Sequence, residues 1–408
     1  MQLDTTTTEI QFILAALLAQ GTYMTEALGL LARFICSRMI ANHVGLASKP
    51  FQLADIDPET FRLRFRIYPH EILQLEETLD LPTIIFTAQM CPIPRQEALC
   101  LLLRRLAYPS RYEDLRSEFN HQATVLSSAV NTTATIIYNK IKTKMAFDHR
   151  MVARYKQRSA DAIFDKIGRL TNCLGFIDGT VRRICRPTRF QRQAYSGHKK
   201  IHGIKFQSIT MANGLFVSLY GPFEGRRHDS YMLSKSEAGS KMANYPGYVL
   251  YGDQGNPLRR WLITPYADAE LSERQQSFNR DLRKARVAVE WNFGWVVRYW
   301  KFFELVCNMK VLKSPIGVLY VVAAFFTNCL SCVRRRNQTS KYFRCRLPTL
   351  ANYVADLHHN SVNEEDYASD ENDDFFDDES DMSDVSEFSS SEDESNADDE
   401  HDSTPFIE

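Results

Sequence analysis

LGFIDGTVRRICRP, residues 174–187, is the stretch on which the fold turns. Its apolar run Leu174 to Ile177 reads as a buried strand ending in a carboxylate, Asp178, and Gly179 behind it permits a close approach of other chain. KIHGIKFQSITMANG (200–214) and LFVSLYGPFEGRRHD (215–229) read as two further strands joined by turns. A helix is expected from Ser230 to Ala243, and GYVLYGDQG (247–255) then repeats the opening motif, an apolar strand ending in an acid, Asp253. Strands and helices in this order predict an α/β class, a mixed sheet flanked by helices.

A third carboxylate follows on a different element. FNRDLRKARVAVEWNFGWVVRYWKFF (278–303) is an uninterrupted helical run carrying Glu290, with Arg286 one turn and Arg283 two turns earlier on the same face. Taken singly, an Asp before Gly is a turn residue and a Glu four residues after an Arg is a surface ion pair. Together they are poorly explained that way, because acids ending neighbouring strands repel unless a cation lies between them. One or two divalent ions, Mg²⁺ or Mn²⁺, resolve the conflict: such ions take oxygen ligands and, in pairs ~3.5–4 Å apart, cleave phosphodiesters. Asp178, Asp253 and Glu290 are therefore the candidate catalytic residues, and Arg283 and Arg286 are candidates for holding a nucleic-acid backbone.

Charge distribution points the same way. The 408 residues carry a formal charge of −1, yet residues 361–408 hold 21 Asp and Glu and no Lys or Arg, so 49 basic residues face 29 acidic ones in the rest of the chain. A body this basic suits DNA, and the acidic run reads as a disordered C-terminal tail that competes for the same surface. Arg182, Arg183, Arg186 and Arg189 follow the first acid directly, and Lys199 and Lys200 lie between His198 and His202; these are the remaining DNA-binding candidates. Phe375, Phe376 and Phe388 among the tail acids suggest an interaction segment.

With 44% hydrophobic residues the chain can bury a sizeable core. The expected organisation is a mostly helical region over 1–90, a helical, helix-turn-helix-like region over 91–150, a catalytic domain over 151–345 and the acidic tail over 346–408. In the second region EALCLLLRRLA (97–107), RYEDLRSEF (111–119) and a third helix from Ala123 form a triad. As a DNA reader it would offer Gln122 and Thr124 to bases and Arg104, Arg105 and Arg111 to phosphates; as a plain bundle it would offer none of them. Nine cysteines in mostly apolar contexts argue for reduced thiols, and the lone Cys329/Cys332 pair is a poor zinc site. The apolar window Ile316 to Leu330 is too short for a membrane span and reads as a buried helix, so no membrane is expected as a partner. Trp291, Trp295 and Trp300 follow helical spacing and read as core.

The motifs FIDGT (176–180), YSGHKKIHGIKFQSITMANGLF (195–216), GRRHDS (225–230), YGDQGNP (251–257) with LITPY (262–266), and FNRDLRKARVAVEWNFGWV (278–296) resemble the PIF/Harbinger-type transposases of the DDE superfamily endonucleases, nucleases derived from Harbinger transposases included. The likeness is close over residues 170–332 and looser over 94–141. It implies an RNase H-like domain whose first strand carries Asp178, whose fourth carries Asp253 and whose late helix carries Glu290, with Asp229 of GRRHDS as a fourth metal-associated acid. It further implies DNA cleavage at transposon ends, with attack of the freed 3′-hydroxyl on target DNA as an optional second step. A Myb-like DNA-binding partner, homo-oligomers and a nuclear location, with the cytoplasm as a further option, come with the same family. Asn256 departs from it, standing where an aromatic is usual. The alternative is a domesticated transposase-derived protein that binds DNA or protein without cutting.

Overall fold

A computed structural model describes residues 51–268 and 270–357. Residues 1–50, most of the expected N-terminal helical region, and residues 358–408, which hold the acidic run, lie outside the described residues.

The described chain opens with α1 (Pro58–Phe65) and α2 (Pro69–Leu79), a small hairpin of β1 (Ile84–Phe86) and β2 (Pro92–Pro94), then α3 (Arg95–Ala107), a single turn α4 (Arg116–Phe119), and two long helices, α5 (Ala123–Ala146) and α6 (His149–Ile167). Helix starts follow local chemistry. Asp57 accepts a hydrogen bond from Thr60 N ahead of Pro58, and Asp148 accepts one from Met151 N at the start of α6. Gly168, at φ +66°, ends α6 in the left-handed conformation that favours glycine.

The sheet follows: β3 (Cys173–Arg183), a turn of helix α7 (Gln191–Ala194), β4 (Tyr195–Ser196), β5 (Ile201–Met211), β6 (Phe216–Glu224), α8 (Asp229–Lys235), α9 (Ala238–Met242), β7 (Val249–Gly252) and β8 (Leu262–Ile263). Its order is β6–β5–β3–β7–β8, with short β4 paired to the start of β5. The β3–β5 and β5–β6 pairs are antiparallel, and β3–β7 and β7–β8 are parallel. A longer connection carrying α7 and β4 joins the antiparallel pair β3–β5, a tight turn joins β5–β6, and a helical crossover leads into parallel β7, which gives the mixed sheet. This architecture is consistent with an RNase H-like DDE domain.

Four helices complete the fold: α10 (Glu273–Tyr299), α11 (Ile316–Val333), α12 (Gln338–Phe343) and α13 (Leu350–Val354). By length and composition α11 passes for a membrane span, but it is apolar all round because protein surrounds it. Its one amide is fully used: Asn328 accepts from Phe216 N (3.1 Å) and donates to Phe216 O (2.9 Å) and Tyr353 Oη (2.8 Å), pinning β6, α11 and α13 together. Trp300 is buried, its indole N–H donating to Thr327 Oγ1 at 3.1 Å. Buried Ser159 on α6 donates to Leu174 O (2.7 Å) and accepts from Ala212 N (2.8 Å), tying the helix to β3 and to the end of β5.

Several expectations need correction. The helical region and the sheet do not part at residue 150, because one hydrophobic cluster runs from Phe61 to Val354 and Asp148 N donates to Val217 O at 2.7 Å. The folded body does not stop at 345, because Leu347, Leu350, Tyr353 and Val354 are buried in that cluster. The expected helix from Ser230 to Ala243 is two short helices broken at Glu237, which adopts φ +54° and lets Gly239 lie against the Trp261 indole. RYEDLRSEF is helical only from Arg116, because the Asp114 carboxylate holds a turn by accepting from Arg111 N (3.1 Å) and from its guanidinium (2.9 Å). The arginines proposed to meet phosphates in the helical triad are otherwise engaged. Arg105 is buried against Tyr112 and Phe302 and donates to Ser110 O, and Arg104 pairs with Glu118 at 3.1 Å.

Candidate active site

Register places the first two acids. The parallel pairing of β3 with β7 ends at Ile177 opposite Gly252, and the next residue on each strand is an aspartate. Asp178 and Asp253 therefore stand side by side where β7 stops, on strands ~4.8 Å apart. Past this point β3 continues with β5 alone, Asp178 lying opposite Ser208. The sheet thus opens at its middle, the place where α/β folds admit ligands beyond the ends of parallel strands.

Helix α10 brings the third acid. A capping box starts the helix, Ser272 N donating to Gln275 Oε1 at 2.9 Å and Ser272 Oγ accepting from Gln275 N at 3.4 Å. Arg169, just before β3, pairs with Asp281 at 2.8 Å and donates to Ser277 Oγ at 3.0 Å, which fixes the helix along the sheet. Leu282, Ala285, Val289 and Phe293 face the core, leaving Arg286 and Glu290 on the open side above the aspartates.

Asp229 opens α8 and reaches the same cavity from β6. Lys205, on β5 opposite Val181, stands 3.4 Å from Asp229 Oδ1 and donates to Arg227 O at 2.7 Å. Gly179 matters here, since a Cβ on it would lie 3.4 Å from Asp229 Oδ1 and 3.1 Å from the Met232 methyl. All four acids line one cavity of about 510 Å³, together with Thr180, Arg182, His198, Lys199 and Lys205.

Arg286 occupies the middle of the acids. One guanidinium nitrogen lies 3.7 Å from Asp178 Oδ1 and 3.8 Å from Asp253 Oδ1, and the other lies 3.3 Å from Glu290 Oε1. The side chains of Asp178, Asp253 and Glu290 are 16, 49 and 56% exposed, so burial falls chiefly on Asp178. Burial pushes the Asp178 carboxyl up to about 6; Arg286 and the Gly179 N–H (2.9 Å) oppose the rise, and Asp253 and Glu290 add to it. An all-oxygen donor set of this kind is the chemistry a hard divalent cation takes. As placed, no three acids, histidines or cysteines among the described residues stand close enough together to hold one, and Arg286 lies between three of the carboxylates.

The basic candidates divide into two groups. Arg182 is tied inward, donating to Tyr320 Oη (3.0 Å) and Phe293 O (3.4 Å) with its guanidinium over both rings. Arg183, Arg186, Arg189, Lys199, Lys200 and Arg283 are exposed, with Arg186 held to Gln191 Oε1 at 2.9 and 3.0 Å. Asn256 is buried beneath the Asp253 turn, its N–H donating to Asp253 O at 3.0 Å. Cys329 is buried in α11, which raises its thiol far above the usual range, and Cys332 is buried one turn on.

Sequence reasoning missed Lys205 as part of the cavity. Its signal was a charged residue inside the otherwise apolar alternation of IHGIKFQSITM. It assigned Arg286 to phosphates and did not anticipate that the same side chain stands among the acids.

The sheet opening is flanked by three carboxylates, with a fourth across the cavity and cations on its rim. Residues 177–328 match the family model described as DDE superfamily endonuclease, a span that holds all four acids, Lys205 and Arg286. The match supports a transposase-type endonuclease in that part of the chain. Neither a curated protein nor a solved structure matches.

Proposed function

We propose that the protein is a divalent-metal-dependent DNA endonuclease of the PIF/Harbinger transposase type, which hydrolyses phosphodiester bonds at transposon ends and can pass the freed 3′-hydroxyl to target DNA. The observation that carries this is the juxtaposition of Asp178 and Asp253 one residue past the Ile177–Gly252 pair, with Glu290 poised over them on α10. Asp178, Asp253 and Glu290 would hold the ion, Mg²⁺ or Mn²⁺, with Asp229 available across the cavity. When bound, such an ion activates water and stabilises the leaving oxygen.

The remaining work belongs to the chain's own groups. Lys199 and His198 on the cavity wall and Arg283 on the exposed face of α10 would bind backbone phosphates and set the register of the scissile strand. Arg183, Arg186 and Arg189 extend that track and would give binding a steep salt dependence. Lys205 would orient Asp229. A Myb-like partner for end recognition, a nuclear location and a homo-oligomer that pairs two ends belong to the same proposal; the basic body supports DNA as the substrate.

The test is cleavage mapping on end-labelled duplexes carrying the flanking terminal inverted repeats, with and without a Myb-like partner. Cuts confined to the repeat ends support the proposal. DNA binding with no cut under any condition would instead mark a domesticated binding protein.

A further inference from the structure

Arg286 is an odd neighbour for three acids. It is half-buried, its one hydrogen bond among the described residues is the 3.3 Å contact to Glu290, and its approaches to Asp178 and Asp253 at 3.7 and 3.8 Å are too long for hydrogen bonds. A guanidinium serving as a permanent strut normally makes short paired bonds, as Arg169 does with Asp281 and Ser277 at 2.8 and 3.0 Å. Arg286 supplies charge without such bonds. It is held loosely in the space where the three carboxylates converge.

We propose that Arg286 is a displaceable counter-cation: it neutralises the acidic cluster in the metal-free protein and must leave that position for a divalent ion to enter. The proposal rests on the metal-dependent reading above. Three carboxylates around one guanidinium stay net negative, so a doubly charged ion competes well for them, drawing the oxygens to ~2.0–2.1 Å in the case of Mg²⁺. On leaving, Arg286 breaks only the 3.3 Å hydrogen bond to Glu290, and the incoming ion takes over the neutralisation of the three carboxylates. Its alternative partner is a backbone phosphate, since Arg283 marks the exposed track one turn back on the same face.

Regulation follows from that exchange. DNA arriving on α10 gives Arg286 a phosphate and frees the acids; metal arriving at the acids frees Arg286 for DNA. Each ligand therefore strengthens the other, and the coupling is reciprocal. The acids are kept from gathering an ion fully until DNA is present, which restrains cleavage of water-accessible or incorrect substrates.

Mn²⁺ binding to the full chain, measured by titration calorimetry and by the loss of the free-ion resonance, tests this without using activity. Arg286→Gln should bind Mn²⁺ about five-fold or more tightly than wild type without DNA. Arg283→Gln, which removes a charge from the same helix face outside the cluster, should leave the affinity unchanged. Arg286→Lys keeps the charge but cannot span the acids with a planar fork, and should fall between. Adding duplex DNA should tighten Mn²⁺ binding in wild type and not in Arg286→Gln. Wild-type binding with equal or weaker binding in Arg286→Gln, or equal tightening in Arg283→Gln, would overturn the proposal and leave the nuclease reading standing. No Mn²⁺ binding by any variant, with or without DNA, would overturn both.

Discussion

Asp178→Asn in the metal-free protein should raise stability at neutral pH, although it removes one of the carboxylates proposed to hold the ion. Burial and the acids around it hold the Asp178 carboxyl at about 6 against an ordinary 3.8. Because the folded value lies above the unfolded one, the favourable contribution is fully present below the unfolded value and is lost as pH rises through about 6. At pH 7.5 ionised Asp178 costs about 3 kcal/mol relative to its protonated form, and an isosteric amide escapes that cost. At pH 5 the wild-type carboxyl is mostly protonated and recovers about 1.4 kcal/mol, so the advantage of the variant should narrow by that amount. Urea unfolding of both proteins at pH 5 and 7.5 in EDTA gives the difference with other titrating groups cancelled. Adding Mn²⁺ at pH 7.5 should reverse the order, because only wild type retains the full donor set. A less stable variant at pH 7.5 in EDTA, or a gap independent of pH, would refute the reasoning.

Other outcomes follow from the same geometry. Arg182→Ala should lower stability by about 1–3 kcal/mol through the buried Tyr320 hydroxyl it leaves unpaired, whereas Arg183→Ala and Arg189→Ala should leave stability unchanged and flatten the salt dependence of DNA binding; urea midpoints and salt-titrated binding separate the two groups. Asn328→Ala should cost about 2–4 kcal/mol, because it strands the Phe216 backbone groups and the Tyr353 hydroxyl in the core, and a urea midpoint close to wild type would contradict the role given to that amide.

Much of the site was legible because it is local. Strands β3 and β7 each announce themselves by an apolar run that leads into an acid; Asp253 directly follows the end of β7, whereas β3 runs on past Asp178 to Arg183. Glu290 was legible because α10 is a long helix whose face repeats at Arg283, Arg286 and Glu290. What depends on tertiary packing was not. Nothing local distinguishes Arg182, which turns inward to Tyr320, from Arg183 beside it, which stays exposed. Arg105 sits in a basic pair on a helix and reads as a phosphate contact, yet Phe302, nearly two hundred residues on, covers it. The break at Glu237, a non-glycine residue at φ +54°, is something no helical pattern announces. The fold also runs beyond Cys345 because Tyr353 meets Asn328, a contact between polar groups that composition reads as surface.

The most direct measurement is nicking of labelled duplex DNA by the wild-type chain and by Asp253→Asn, each in Mg²⁺, Mn²⁺ and EDTA, with DNA binding followed in parallel. Cleavage by wild type in either metal, abolished by EDTA and by the substitution while DNA binding persists, is the predicted result. Cleavage that survives Asp253→Asn, or binding by wild type with no metal-dependent nick, would contradict the claim that these carboxylates form a nuclease centre.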